Sequence, residues 1–411
     1  MLAYDPGMAA QTLRLLASYQ GQHVDEWRDE QPGKIMHELR VGELAHLNEI
    51  PQTPYYGTID ATSLFLILIA QHAAWTGDLT VFHDLHSHIE RALAWIAQYG
   101  DQNGDGYVEY QSASEKGLVN QGWKDSGDAV VNTDGTLAQP PISLTETSLA
   151  GLYAQAGEAE RAAQLQREAQ QLRVQFNRDF WLAERQCYAL ALQAEHKPVG
   201  VISSNPGQAL WTGIADSDKA RQTVARLMAD DMFSGWGVRT LSAQERRYNP
   251  IGYHLGTVWP HDNALIAAGF RRYGCNTEAC RIFTGIVEAA THFAHYRLPE
   301  VFAGFRKADY GIPVRYPVAC HPQAWAAGSI PFLITTALGL VPEAFAHRLR
   351  IVQPILPDFL QRLEVHRLRV GDGCADLHFA RRTDGSAAVT VMRVEGQFEV
   401  VTESEATPAS S

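Results

Sequence analysis

The chain has 411 residues, 45% hydrophobic and 19% charged, with 34 Lys and Arg against 46 Asp and Glu for a net charge of −12. That composition excludes a disordered or fibrous chain, and the acidic balance argues against a nucleic-acid or anionic-membrane partner. The longest apolar run, Leu64 to Ala70, falls far short of the ~20 residues that span a bilayer.

Apolar residues at three- and four-residue steps predict helices over 7–20, 59–77, 79–99, 143–156, 158–178, 206–215, 217–231, 256–273, 275–296 and 320–339. Asp78 caps the third, whose stripe is Phe82, Leu85, Ile89, Ala92, Leu93 and Ile96, and Gly100 stops it. Later stripes are Ala162, Leu165, Ala169, Leu172 and Phe176, then Ala279, Ile282, Phe283, Ile286, Val287 and Phe293. Short Gly/Asp breaks such as Thr76-Gly77-Asp78, Ala156-Gly157 and Tyr273-Gly274 read as the turns of antiparallel hairpins.

Between the pairs lie long stretches, 21–58, 100–142, 180–205, 233–255 and 297–319, rich in Gly, Pro, aromatic and acidic residues. Ordered loops of that length are usually functional. A ring of helical hairpins, with these loops gathered at one end around a cleft, is the expected architecture. After residue 350 the period changes to two. Ala375, Leu377 and Phe379 alternate with polar residues, Asp384-Gly385 marks a hairpin turn, and Val389, Val391, Phe398 and Val400 continue the pattern. The expected organisation is a helical domain over 1–349, a small β appendage over 350–402 and a polar tail over 403–411.

Cys187, Cys275, Cys280, Cys320 and Cys374 are scattered with no CxxC, which predicts buried thiols in a reducing, cytoplasmic setting. No GxSxG, HExxH, phosphate-binding loop or dinucleotide fingerprint is present. Carboxylates are the remaining chemistry: Glu38, Glu43, Asp60, Asp101, Asp105, Glu109, Asp125, Asp128, Glu146, Asp262, Glu300 and Asp309 all fall in loops or at helix starts. Glycosidic hydrolysis needs two of them, one protonated at the leaving oxygen and one that activates water or attacks carbon.

Asp125 sits in Gly122-Trp123-Lys124-Asp125-Ser126, where the indole offers a stacking face and a drier setting that raises a carboxyl pKa. A helix cap or a surface acid is the alternative. Glu300 follows Pro299, with a salt bridge to Arg297 or Arg306 as its alternative. Trp259-Pro260-His261-Asp262-Asn263 opens a helix, as a cap or as a sugar contact. Asp101, Asn103, Asp105, Gly106 and Glu109 match the first part of a calcium loop, but Ser112 stands where the closing acid belongs. Bound calcium, an Asx-rich turn and a sugar contact by Glu109 or Tyr110 stay open. His83, His86 and His88 have poor metal spacing.

Nine blocks stand in a familiar order: DEQPGKIMHELRVGELA (29–45), PYYGTIDATSLF (54–65), DGYVEY (105–110), NQGWKDSGDA (120–129), SNPGQALWTGI (204–214), FSGWGVRTLS (233–242), YHLGTVWPHDNALIAAG (253–269), LPEVFAGF (298–305) and YPVACHPQAWAAG (316–328). Together they resemble the glucosidase domain of bacterial glycogen-debranching enzymes, the amylo-α-1,6-glucosidase type of six-hairpin glycosidase. The resemblance implies an all-α fold, an (α/α)6 toroid with a small C-terminal β appendage. It implies Asp125 as general acid, Glu300 as general base, inversion, and carboxyls ~6.5–9.5 Å apart. Its sugar contacts would be Asp60, Trp123, Glu146, Trp236, Arg239, His254, Trp259, His261, Asp262, Gln323 and Trp325. The expected partner is an α-glucan or oligosaccharide, and no cofactor is expected unless calcium binds at Asp101, Asn103 and Asp105.

Three departures touch substrate detail: Gln208 where the family has His, Leu255 where it has Asn, and the SLTETS segment around Glu146. The family's Gly-Arg-Asp-Ser helix and β domain ahead of Tyr4-Asp5-Pro6 are not in this sequence. An incomplete first hairpin, with self-association through the opened ring, is therefore expected. The competing readings are a non-catalytic carbohydrate-binding fragment, an epimerase working through His254 and His261, and a trehalase-like specificity.

Overall fold

Helices stand where the stripes predicted them, but strands accompany them throughout. The computed structural model describes residues 2–144 and 156–403. The main helices are α1 (Pro6–Ser18), α2 (Asp60–Thr76), α3 (His86–Trp95), α4 (Ala159–Asp179), α5 (Pro206–Thr212), α6 (Ser217–Leu227), α7 (Pro260–Arg272), α8 (Asn276–Ala290) and α9 (Ala324–Ala337). The expected helix over 79–99 is broken. Asp78 accepts from the Thr80 amide at 2.7 Å, a short turn runs Thr80–Asp84, and α3 restarts at His86. The expected helix over 143–156 lies almost wholly outside the described residues.

The all-α expectation is corrected: the chain is mixed α/β. Among the described residues twelve strands form four sheets. β1 (Val108–Tyr110), β2 (Ile142–Leu144), β5 (Leu192–Gln193) and β6 (Lys197–Pro198) make one sheet, and β3 (Trp181–Leu182) pairs with β4 (Cys187–Tyr188). These strands lie in stretches that read as loops, because two or three residues carry too little alternation to signal a strand. β7 (Leu340–Glu343), β8 (Arg348–Val352) and β12 (Glu399–Glu403) form a third sheet. β9 (Arg362–Val370), β10 (Gly373–Arg381) and β11 (Ala387–Glu395) form an antiparallel meander. The C-terminal run of strands thus begins at Leu340, ten residues before the expected change of period. β12 returns to lie parallel to β8, Val401 opposite Arg350, and Glu403 receives both arms of the Arg350 guanidinium at 2.6 and 2.8 Å.

α7 is the central helix of the larger core. It is buried on nearly every side and packs on α5, α8 and α9. Gly269 and Gly207 permit this approach: a Cβ on Gly269 would meet the Gly207 carbonyl at 2.8 Å, and one on Gly207 would meet Ile266 at 2.4 Å. Asn263 ties α7 to the preceding loop, accepting from the Val238 amide at 2.6 Å and donating to the Val238 carbonyl at 3.1 Å. A second core joins α1, α2 and α3 through Leu13, Phe65, Ile69 and Ile89. The C-terminal strands bury Leu349, Ile351, Leu377 and Phe379 together with Trp75 of α2 and Leu338. All five cysteines are free; Cys187 is buried and Cys320 exposed. No described helix is long and apolar enough to cross a membrane.

Candidate active site

Loops before α2 and α7 meet the 298–323 loop around a cavity of about 250 Å³, walled by His37, Thr58, Asp60, Trp123, Asp125, Tyr253, Trp259, Glu300, Gln323 and Trp325 among others. Backbone pairing sets this convergence. The Ile59 amide donates to the Gln121 carbonyl at 2.8 Å, joining the start of α2 to the segment that carries Trp123 and Asp125. Val258 and Phe302 exchange amide–carbonyl bonds at 2.9 and 3.1 Å, which brings Glu300 beside the Tyr253–Trp259 loop.

Asp29, which the sequence reading did not single out, anchors the same corner. Its buried carboxylate accepts from Tyr55 Oη at 2.8 Å, Gln121 Nε2 at 3.0 Å and the Ala113 amide at 2.7 Å. A carboxylate with three such donors is a fixed point, since removing it strands every donor it satisfies.

The carboxyls sit in different settings. Burial pushes Asp125 up to about 6, helped by the charges of Glu38 and Glu300, although 36% of its side chain is exposed. Asp60 opens α2 with protein enclosing its carboxyl. Burial pushes it up to about 7, the Trp123 amide opposes this, and the Asp125 charge reinforces it. Glu300 accepts from Tyr253 Oη at 2.8 Å and from the Cys320 amide at 3.0 Å. Among the described residues it makes no ion pair with Arg297 or Arg306. Lys124 turns away from Asp125: its Nζ donates to the Thr240 carbonyl at 2.7 Å, and burial pulls it down to about 7.

Trp123 stands at the centre of a ring cluster, edge-on to His254, Trp259 and His261 with centroids at 5.6, 5.7 and 5.2 Å. His254 stacks on Trp259 at 4.9 Å, and its Nδ1 lies 2.9 Å from Ser126 Oγ and 4.0 Å from Asp125. Burial lowers the pKa of His254 well below the imidazole range and that of His261 to about 3, so both rings are neutral at ordinary pH. Trp123 Nε1, His254 Nε2, His261 Nε2 and Asp262 Oδ2 are buried with no hydrogen-bond partner among the described residues. Orphaned polar atoms of this kind mark places for hydroxyls or water.

The structure therefore gathers Asp60, Trp123, Asp125, Trp259, Glu300, Gln323 and Trp325 on one cavity. Gln323 also caps α9 through the Ala326 amide at 2.8 Å. His261 packs 4.2 Å from Trp325 and lines an adjoining, mostly apolar chamber. His254 and Asp262 lie behind the wall, and Gln208, at one of the three departures, donates to Asp262 at 3.0 Å. Trp236 and Arg239 stand apart. Trp236 belongs to the larger core, and Arg239 is buried with its guanidinium donating to the carbonyls of Gly304, Asp230 and Asp231. Glu146 lies outside the described residues. Tyr253 and His37 line the cavity without having been singled out; Tyr253 stood inside a quoted block, but nothing local tied it to Glu300.

In the 101–109 turn, Asp101 accepts from the amides of Gly104, Asp105 and Gly106 at 2.8 to 2.9 Å. Asn103 Oδ1 accepts from the Asp105 amide at 2.9 Å and Asp105 Oδ1 from the Tyr107 amide at 2.7 Å, which is Asx-turn bonding, and Asn103 Nδ2 donates to the Asp105 and Glu109 carboxylates. Among the described residues no group of three His, Cys, Asp or Glu side chains is set to hold a metal ion.

Residues 2–311 match the family model described as the mannosylglycerate hydrolase MGH1-like glycoside hydrolase domain. No curated protein matches the chain. Among solved structures it is similar to the GH78 rhamnosidase of Bacillus sp. GL1, with TM-score 0.61 and 14% identity over 97% of this chain and 36% of that one. It is similar to a sialidase, with TM-score 0.54 and 12% identity over 80% and 31%. It is also similar to the GH63 mannosylglycerate hydrolase from Thermus thermophilus in complex with Tris, with TM-score 0.52 and 16% identity over 80% and 90%. The chain thus spans about a third of the sialidase and rhamnosidase chains. At these identities the likeness is one of fold.

Proposed function

Because the chain belongs to the mannosylglycerate hydrolase MGH1-like glycoside hydrolase family, we propose that it hydrolyses a glycosidic bond in this cavity, with Asp125 as general acid and Glu300 as general base. The observation that carries this is one cavity holding two carboxyls in unlike settings: Asp125 raised to about 6 and Glu300 hydrogen-bonded by two donors. Burial raises Asp125 toward the range a general acid needs, and two donors hold the Glu300 carboxylate in place on the same cavity.

In this reading Asp125 gives its proton to the glycosidic oxygen as the anomeric C–O bond breaks. Glu300 takes a proton from water as the new C–O bond forms on the opposite face. The turnover leaves Asp125 ionised and Glu300 protonated, and solvent resets both. The anomeric centre inverts. Asp60, Trp123, Trp259, Gln323 and Trp325 line the cavity and contact the sugar, the indoles through their faces and the polar groups through hydroxyls.

The family's name makes a small glycoside such as mannosylglycerate the first substrate to try, and a cavity of about 250 Å³ suits a ligand below drug size. The nine ordered blocks favour a second reading, amylo-α-1,6-glucosidase action on branched glucan. The test is sugar release from mannosylglycerate, trehalose and a branched limit dextrin, with the anomer followed by NMR. An α-linked substrate yielding the β-sugar, with release abolished by Asp125→Asn, supports the reading. Retention of configuration, or an active Asp125→Asn enzyme, overturns it.

A further inference from the structure

We propose that Tyr253 is a positioning residue for the reaction: its hydroxyl, with the Cys320 amide, fixes the Glu300 carboxylate in the orientation from which it accepts the proton of the attacking water. The inference rests on the assignment of Glu300 as base.

Tyr253 Oη donates to Glu300 Oε1 at 2.8 Å, and the Cys320 amide donates to Oε2 at 3.0 Å. Each oxygen so engaged keeps a lone pair, and a carboxylate with both oxygens tied has lost the freedom to rotate away from water. Glu300 sits on a loop, and loop carboxylates hold one orientation only when neighbours impose it.

The donor is itself held. The Tyr253 carbonyl accepts from Trp259 Nε1 at 2.9 Å and from Thr257 Oγ1 at 2.5 Å. Its ring packs against His254 at 4.6 Å, Trp259 at 4.8 Å and Tyr316 at 5.5 Å. The backbone and three rings thus decide where the hydroxyl points before substrate arrives. Among the described residues the titratable groups that interact with Glu300 include the Tyr253 hydroxyl, the Cys320 thiol and Asp125 across the cavity, whose wall His37 and Asp60 share.

The test replaces one oxygen. Tyr253→Phe keeps the ring and its packing while removing the donor. With the protein labelled at its Glu carboxyl carbons, the Glu300 resonance is assigned by its loss in Glu300→Gln and followed with pH. A titration midpoint about one pH unit higher in Tyr253→Phe is expected from loss of one charge-assisted hydrogen bond. An unmoved midpoint overturns the proposal, whatever the substrate.

In turnover assays the expected result is a tenfold or larger fall in kcat, KM within about twofold, and an acid limb that moves with the NMR midpoint. A moved midpoint with an unmoved acid limb overturns the assignment of Glu300 as base. A fall in kcat that tracks only a lower thermal midpoint, with no shift in either titration, overturns the positioning role in favour of a structural one.

Discussion

The Asp60 carboxyl gives a stability prediction independent of any substrate. It opens α2, where a helix N-terminus favours negative charge, yet burial and the Asp125 charge push it from its ordinary 3.8 up to about 7. The folded chain therefore holds this proton more tightly than the unfolded chain. Its contribution to stability is fully present below about pH 3.8 and is lost progressively as the pH rises to about 7. A span of about three pH units at about 1.4 kcal/mol each sets a ceiling of about 4 kcal/mol. Solvent reaching the carboxyl through the cavity lowers this, and about 2 kcal/mol is expected. Asp60→Asn abolishes the dependence. Urea unfolding of parent and variant at about pH 4.5 and pH 8 should show the variant gaining about 2 kcal/mol on the parent between the two conditions. A difference between the proteins that is the same at both pH values, within about 0.5 kcal/mol, would refute the argument that this carboxyl is buried at a cost.

The remaining predictions concern activity and loop anchorage. Asp125→Asn should lower kcat by about 10²-fold or more on a substrate with a poor leaving group, and much less on an activated aryl glycoside, because protonation of the leaving oxygen then matters little. In the parent, kcat/KM should fall above about pH 6, where Asp125 loses its proton; a flat profile between pH 6 and 8 would count against Asp125 as the acid. Trp325, 46% exposed on the cavity wall, should act mainly in binding, so Trp325→Ala should raise KM by about five- to tenfold with kcat little changed. Arg239→Met strands the carbonyls of Gly304, Asp230 and Asp231 and should cost about 2–4 kcal/mol of stability in thermal or urea unfolding. A variant of unchanged stability whose only defect is a higher KM would instead place Arg239 at the sugar.

Legibility varied with the length of the signal. The stripes over 59–77, 158–178 and 275–296 foretold α2, α4 and α8 because helices of 15 to 21 residues repeat their pattern several times. The meander β9–β11 showed through for the same reason, with Ala375, Leu377 and Phe379 inward on one strand of nine residues. β3 to β6, two residues each, had no pattern to show, and that is where the all-α expectation failed. Trp236 and Arg239 illustrate the limit for the candidate site. A Trp and an Arg in a Gly-rich loop look alike whether they face a ligand or a core, and burial separates them only after folding.

By itself the sequence offered the chemistry: carboxylates in aromatic, Gly-rich surroundings and no other recognisable nucleophile, with Asp125 and Glu300 put forward as the pair to examine only by the resemblance that the nine blocks carry. That information is local and survives in one dimension. Only the tertiary structure decided which groups meet. Tyr253 reaches Glu300 across 47 positions, Asp29 reaches Gln121 across 92, and His254 reaches Ser126 across 128. Contacts at such separations leave no period and no motif, because they depend on how whole elements pack. The raised proton affinities of Asp60 and Asp125 follow from that packing too, since burial and neighbouring charge are properties of the assembled cavity.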